Sequence, residues 1–463
     1  MSETKELHMA EIADVVVVGM GPGGEDAAEH LAEAGLDVVG IESTLVGGEC
    51  PYWGCVPSKM MIRAANLLAE ARRIPGVAGS STVNPDWAPV ARRIRDEATD
   101  DWNDQVAVER FENKGGRFVR GHGRLVGPHE VEVGDRRFEA RRAVVIATGT
   151  QSWTPPIPGL ADVPYWTNRE AIEASEPPGS LAVIGGGAIA VELGQVFARF
   201  GVTVTIVEVA NRLLPAEEPE AGELLETVLR DEGVRVITGA QVDKVRHDGS
   251  LFELDLRGER PITTERLLVA AGRRADLSAI GVEAVGLDPN ARYLATDDRL
   301  RVAPGIWAVG DVTGFGAFTH VAMYQARIAV ADILGQDTER ADYEAIPRVT
   351  FTDPEIGSVG LSEEAARSRG LSVRVGRSEI ATSARGWIHK VGNTGLIKLV
   401  EDADRGVLVG ALSAGPMGGE VLGLLALAVH ANIPVATLRT MIYAYPTFHR
   451  TIESALANLE HAG

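Results

Sequence analysis

Two stretches of the chain carry the same order of apolar and polar positions. "DVVVVGMGPGGEDAAEHLAEAGLDVVGIES" opens on a valine run, turns through glycines, and continues with small apolar residues three and four apart before a second apolar run. "LAVIGGGAIAVELGQVFARFGVTVTIVEV" repeats that order. The continuous runs predict strands buried on both faces, and the three-to-four spacing predicts a helix between them. Gly19, Gly21, Gly35 and Glu42 recur as Gly185, Gly187, Gly201 and Glu208, each displaced by 166 residues.

Each unit reads as a dinucleotide-binding βαβ motif. The first glycine permits the tight turn, and the second clears the way for a pyrophosphate on the helix N-terminus. The third small residue, Gly24 or Ala190, lets helix and strand pack closely. The acid at the end of the second strand, Glu42 or Glu208, is suited to accept from a ribose hydroxyl. Two motifs imply two dinucleotides.

Further apolar runs end in small residues: "AVVIATGT" (143–150), "LLVAAGRR" (267–274) and "IWAVGDVTG" (306–314), the last stopping at Gly310-Asp311. "WTPPIPGL" (153–160) reads as a linker and "GQDTERADYEAIPR" (335–348) as a boundary. Beyond it, "RVTFTDPEIGSVGL" and "GLIKLV" predict sheet strands, while "GEVLGLLALAVHAN" and "HRTIESALANLEHAG" predict helices. The expected fold class is α/β, with two Rossmann-like domains and a C-terminal α+β domain. The expected division is 1–155 for the first domain, 156–277 for the second, 278–342 for a return to the first, and 343–463 for the tail.

Composition narrows the partners. A length of 463 residues suggests about three domains. A formal net charge of −20 and a pI near 5.0 repel phosphate backbones, so nucleic acid is not an expected partner. The acidic opening "MSETKELHMAEIADVVVV" does not read as a secretory signal, and no apolar run approaches the ~20 residues of a membrane helix. A cytoplasmic location and no membrane association are expected.

Cys50 and Cys55, within "GGECPYWGCVPSK", are the only 2 cysteines in the chain. On one regular helix, residues five apart point roughly 140° from each other. A disulfide needs Cα atoms within about 7 Å. Pro51 and Gly54 therefore suggest a distorted turn that brings the sulfurs together. The other readings are two unrelated core thiols, or a metal site lacking the second ligand pair that zinc requires.

On these motifs the chain resembles the class I pyridine nucleotide–disulfide oxidoreductases, the family of dihydrolipoyl dehydrogenase, glutathione reductase and mercuric reductase. The resemblance covers almost the whole chain and is closest to the dihydrolipoyl dehydrogenase branch. It implies FAD on the first fold, at Gly19, Gly21, Gly24 and Glu42, with Lys59, Gly123, Thr148, Gly149, Asp311 and His320 at flavin-contact positions. It implies NADH on the second fold, at Gly185, Gly187, Ala190, Glu208, Val242 and Gly272, and a homodimer made by the tail. It also implies a redox-active disulfide, with Cys55 against the flavin and Cys50 exchanging with substrate. Lys59 would lie near the flavin N5 edge, with Glu192 as its carboxylate partner. Hydride would pass from NADH through the flavin to the cysteine pair, and on to a small-molecule acceptor: a disulfide, a quinone or a metal ion.

The sequence departs from this pattern in "YAYPTFHRTIE". Tyr445 stands where the family's catalytic histidine belongs, and Arg450 where its glutamate belongs. A phenol with a pKa of about 10 is a poor base at neutral pH beside an imidazole at about 6.5. Slow turnover of dihydrolipoamide or glutathione disulfide is therefore expected, with His449 as the alternative base. Soluble transhydrogenases share the Tyr-Pro-Thr sequence but lack a complete cysteine pair; mercuric reductases add a C-terminal cysteine pair absent here. Dihydrolipoyl dehydrogenase proper, and a transhydrogenase or diaphorase that bypasses the cysteines, stay open as activities. For the nucleotide, Ala190 is frequent in NADPH users, Glu208 would repel a 2′-phosphate, and Arg212 would soften that repulsion. The charge acts on the distinguishing group itself, so NADH is expected over NADPH.

Overall fold

The computed structural model describes residues 10–461. The first nine residues of the stretch read above against a secretory signal, and the last two of the expected terminal helix, lie outside the described residues. The chain divides into two compact units. One holds the described residues through Pro57, with Arg92–Trp153 and Arg273–Asp342; the other holds Ser58–Ala91, Thr154–Gly272 and the chain from Tyr343 on.

The first unit is built on an eight-stranded sheet. Strand Glu11–Val18 lies at its centre, parallel to Val38–Glu42 on one side and to Arg136–Ile146 on the other. Its valines divide between two cores. Val15 and Val17 pack with Ala27, Ala28 and Leu31 of helix Pro22–Glu33, while Val16 and Val18 pack with Leu125, Phe138 and Ile306 on the opposite face. A strand buried on both faces needs an unbroken apolar run, which is what the sequence supplies. Helix Thr319–Ile333 packs beside Pro22–Glu33, so two helices share one face of the sheet.

The second unit contains a four-stranded parallel sheet, in the order Arg235–Ile237, Thr203–Val207, Ser180–Ile184, Arg266–Val269. Helix Ala188–Arg199 follows strand Ser180–Ile184, as in the first motif. A six-stranded antiparallel sheet follows from residue 347 onward, covered by helix Gly418–His430. Lys398, on its strand Leu396–Asp402, is a buried cation whose Nζ reaches Glu218 at 2.9 Å and Glu220 and Glu363 at 3.0 Å each. Burial opposes its charge, but the bonds to these carboxylates hold its pKa above the ordinary lysine value.

The terminal segment differs from the sequence expectation. Its helix covers Thr451–Ala457 only, and Glu460–His461 pairs instead with strand Val373–Glu379. Asn458 Nδ2 donates to the Arg377 carbonyl at 2.9 Å and fixes the chain against that strand edge, which offers unpaired backbone groups that a continued helix would leave unmet.

Candidate redox and dinucleotide sites

The two glycine loops are built alike. Gly19 has φ +94°, a left-handed value, and a Cβ there would sit 2.5 Å from the Ala147 carbonyl oxygen. A Cβ on Gly24 would lie 1.9 Å from the Gly19 oxygen, so the helix approaches its strand too closely for any side chain. Gly185 repeats the first case against the Ala270 oxygen at 2.3 Å, and Ala190 is fully buried in the position of Gly24.

Gly21 and Gly187 are glycine for another reason. Their φ values, −69° and −78°, suit any residue. A Cβ on Gly21 would meet only the Gly48 Cα, at 4.0 Å, and one on Gly187 would meet nothing within 4 Å. Each caps its helix without a side-chain hydrogen bond. Neither packing nor backbone strain requires glycine there, whereas a phosphate seated on the bare helix N-terminus does. The loops fit two dinucleotide pyrophosphates.

The acids have a role that sequence reasoning missed. Glu42 Oε2 accepts from the Met20 N–H and its Oε1 from the Thr44 N–H, both at 2.8 Å. Glu208 accepts in the same way from Gly186 at 2.5 Å and from Ala210 at 2.7 Å. Each buried carboxylate thus ties its glycine loop to the end of the neighbouring strand. The signal was present in the repeat, since the same donor positions, one residue after the first glycine and two after the acid, recur at the same offset.

The cysteines lie on two helices. Cys50 is on the short helix Glu49–Tyr52 and Cys55 opens helix Cys55–Arg73, with a break at Trp53-Gly54. A Cβ on Gly54 would come within 3.0 Å of the Glu49 oxygen, so the tight reversal favours glycine. Cys50 is half-buried and Cys55 exposed. The hydrogen bond with Cys55, together with burial, pushes the Cys50 thiol above its ordinary pKa. Cys55 Sγ stands 3.7 Å from Thr319 Oγ1, a residue that sequence reasoning passed over in favour of its neighbour His320.

In the same unit, Asp311 Oδ2 accepts from Thr150 Oγ1 at 2.9 Å, and burial raises its pKa. Arg273, also unforeseen, donates to Thr150 Oγ1 at 3.0 Å and lies 3.8 Å from Glu49. Thr148 and His320 are exposed, the His320 ring stacks on Phe318, and Gly149 lies between Thr148 and Thr150 in the loop after strand Arg136–Ile146. Gly123 is packed, since a Cβ there would press on Val18 at 2.9 Å.

In the second unit, Lys59 Nζ pairs with Glu192 Oε2 at 2.9 Å and lies 4.6 Å from the centroid of the Phe351 ring. Glu192, buried, also accepts from the Phe351 N–H at 2.8 Å, which fixes the carboxylate on both oxygens. Val242 is in the core with Ile184 and Val207, which leaves its backbone rather than its side chain for a ligand. Gly272 meets nothing within 4 Å of a built Cβ. Tyr445 is 70% exposed. Arg450 lies over its ring at 5.5 Å, donates to the Tyr443 carbonyl, and pairs with Glu453 at 2.8 Å. His449 is half-buried, 6.1 Å from the Tyr443 ring.

Two dinucleotide folds on one chain, with a dithiol in the first, define a flavin-dependent NAD(P)H oxidoreductase. Residues 13–326 match the profile described as pyridine nucleotide-disulphide oxidoreductase, and residues 346–456 match the dimerisation domain of the same description. The chain belongs to that family. It is 36% identical to a dihydrolipoyl dehydrogenase of Chlorobaculum tepidum, over 96% of each chain. It is 32% identical to a mercuric reductase of Bacillus cereus, over 96% of this chain and 71% of the relative. Among solved structures, the HOCl-induced flavoprotein disulfide reductase RclA from Escherichia coli, as its Cu(II) complex, superposes with a TM-score of 0.85 at 26% identity, over 96% of this chain and 99% of that one. LpdA from Mycobacterium tuberculosis does so with a TM-score of 0.84, also at 26% identity, over 96% and 98%. The cofactors are FAD and NAD(P)H. Among the described residues no helix is long and apolar enough to cross a membrane.

Proposed function

We propose that the chain is an NADH oxidoreductase that delivers electrons through the Cys50–Cys55 pair to a disulfide, quinone or metal acceptor. The observation that carries this is the juxtaposition of the two thiols across the Gly54 reversal, which a chain with no other cysteine has no structural need for. Bound FAD supplies the passage of hydride electrons between the nicotinamide and the disulfide. Gly19, Gly21, Gly24 and Glu42 shape its loop, and Asp311, held by Thr150, offers a carboxylate to its polar chain. Lys59, fixed by Glu192, keeps a positive charge one turn along the helix from Cys55. The family resemblance makes Cys55 the sulfur that faces the flavin, which would cover its exposed side, and Cys50, half-buried here, the one that exchanges with the acceptor. The family's dimerisation domain supports a homodimer, in which exposed Tyr445 and Ile442 would be covered.

The test is an anaerobic titration with NADH followed by thiol alkylation and mass spectrometry. Both cysteines should pass from unreactive to alkylated with about the first equivalent of NADH, because the electron pair passes on from the flavin to the disulfide. A pair that stays unreactive sinks the relay and leaves the diaphorase reading.

Glu208 supports NADH as the donor, because a carboxylate at the end of strand Thr203–Val207 opposes a 2′-phosphate. Its hydrogen bonds to Gly186 and Ala210 add a second consequence. Glu208→Arg should shift the kcat/KM ratio toward NADPH by about 10- to 100-fold, on the scale of one or two charge-assisted contacts, while loosening the loop for both nucleotides. Glu208→Gln keeps one acceptor oxygen and should lose less NADH affinity. A wild-type preference for NADPH would overturn this assignment.

A further inference from the structure

We propose that Arg348 and Lys398, on the antiparallel tail sheet, are positioning residues for the nucleotide site: through Glu217 and Glu218 they hold the loop 209–217 in the shape that receives the nicotinamide dinucleotide. The inference rests on the reading above that the second glycine loop binds that dinucleotide. The contacts that carry it all lie within the second unit.

Helix Pro219–Asp231 follows this loop, and its start is held from the tail. Glu218 is its N-cap residue, yet the carboxylate makes no capping bond. Instead its Oε2 accepts from Lys398 Nζ at 2.9 Å and its Oε1 from the Glu363 N–H at 2.7 Å. Lys398 is buried away from water, so its charge has to be met by carboxylates brought to it. Glu217, one residue earlier, is gripped by Arg348, whose Nε and Nη2 each lie 2.9 Å from one of its oxygens. Such a fork of two charge-assisted bonds fixes direction as well as distance.

The loop carries this anchoring to the phosphate site. A Cβ on Gly222, near the start of the helix, would collide with the Leu213 carbonyl oxygen, so helix and loop are in direct contact. The Leu214 N–H donates to the Gly186 carbonyl at 2.9 Å, and Gly186 belongs to the glycine loop itself. Leu214 has φ +47°, a left-handed value that a bulky residue keeps only where its surroundings impose it. The Glu217 N–H donates back to the Leu214 carbonyl at 2.9 Å, and Arg212 Nη2 donates to the Pro215 carbonyl at 2.9 Å. Glu208 therefore pins one end of the loop, Glu217 and Glu218 pin the other, and the strained Leu214 lies between them against Gly186.

Released from Arg348, the loop would populate other shapes, and dinucleotide affinity would fall in proportion to the fraction left competent. The rate of hydride transfer from the bound state would not change.

The experiment titrates ADP-ribose, the redox-inert part of the dinucleotide that the glycine loop would hold, calorimetrically into the FAD-bound protein. Amide hydrogen exchange is followed alongside by mass spectrometry. Arg348→Gln removes the fork, and Arg348→Lys keeps the charge without it. Glu217→Gln breaks the same pair from the other side, so poor folding of one variant does not decide the matter. In Arg348→Gln the Kd for ADP-ribose should rise about 3- to 10-fold, part of the strength of a charge-assisted pair. Exchange over residues 209–218 should quicken, while strand Leu396–Asp402 exchanges as in the wild type. The limiting rate of flavin reduction at saturating NADH should stay within about twofold. Arg348→Lys should fall between wild type and Arg348→Gln. Unchanged ADP-ribose affinity in Arg348→Gln and Glu217→Gln, or exchange that quickens equally across the tail sheet, would overturn the proposal and leave the pair a structural clamp. The underlying reading is checked on the wild type, where ADP-ribose should protect residues 185–190 from exchange; protection only elsewhere would overturn the site assignment and the proposal with it. A wild-type preference for NADPH would remove NADH as the donor and leave the loop result standing, because ADP-ribose has no 2′-phosphate.

Discussion

Replacing Tyr445 by His and Arg450 by Glu together is expected to raise turnover with glutathione disulfide or dihydrolipoamide by about 100-fold, the low end of what a positioned general base contributes. The exchanging thiol is the reason. Cys55 and burial both hold the proton on Cys50, so exchange with a substrate needs a group that takes this proton and returns it. A phenol with a reference pKa of about 10 does so poorly near neutrality; an imidazole at about 6.5 does so well. The surroundings of Arg450 add a requirement. Arg450 pairs with Glu453 at 2.8 Å, so a carboxylate introduced at 450 would face a second one a turn away. Adding Glu453→Gln should relieve this repulsion and increase the gain further. Quinone and dye reduction should change only a few-fold, because they do not require proton transfer at Cys50. Steady-state kinetics with both acceptor classes check this. Rapid disulfide turnover by the unmodified protein would mean that Tyr445 is no handicap and would move attention to His449.

Cys55→Ser is expected to lower disulfide-acceptor turnover by on the order of 1,000-fold or more, as removal of an essential nucleophile does elsewhere. A hydroxyl cannot form or release the S–S bond that stores the electron pair. Cys50→Ser should be equally severe with disulfides. The two variants should separate by alkylation: Cys55 in the Cys50→Ser protein retains its contact with Thr319, whereas Cys50 in the Cys55→Ser protein loses the neighbour that raises its pKa most and so becomes more reactive near neutral pH. NADH-dependent dye reduction, measured alongside, should persist in both. Its loss would show instead that the substitutions had damaged the flavin fold.

Local pattern carried much of the architecture. Strand Glu11–Val18 and its counterpart Ser180–Ile184 are buried runs whose period and flanking glycines admit one reading, and Gly19, Gly24 and Gly185 are small because of contacts made within a few residues of the motif or against the adjacent strand end. The cysteine pair was legible for the same reason: Pro51 and Gly54 mark a reversal within six residues. What the sequence left undetermined depends on atoms distant along the chain. Nothing near Thr319 indicates a sulfur 264 positions away, and nothing near Lys398 indicates three carboxylates from two other segments. The second hydrogen-bonding duty of Glu42 and Glu208, and the end of the last helix at Ala457 where an open strand edge takes over, likewise follow from packing. Periodicity and turn chemistry are local interactions and are written in neighbouring residues. The partners of a polar side chain are chosen by which segments the folded sheets bring within about 3 to 4 Å, and only the tertiary structure decides that.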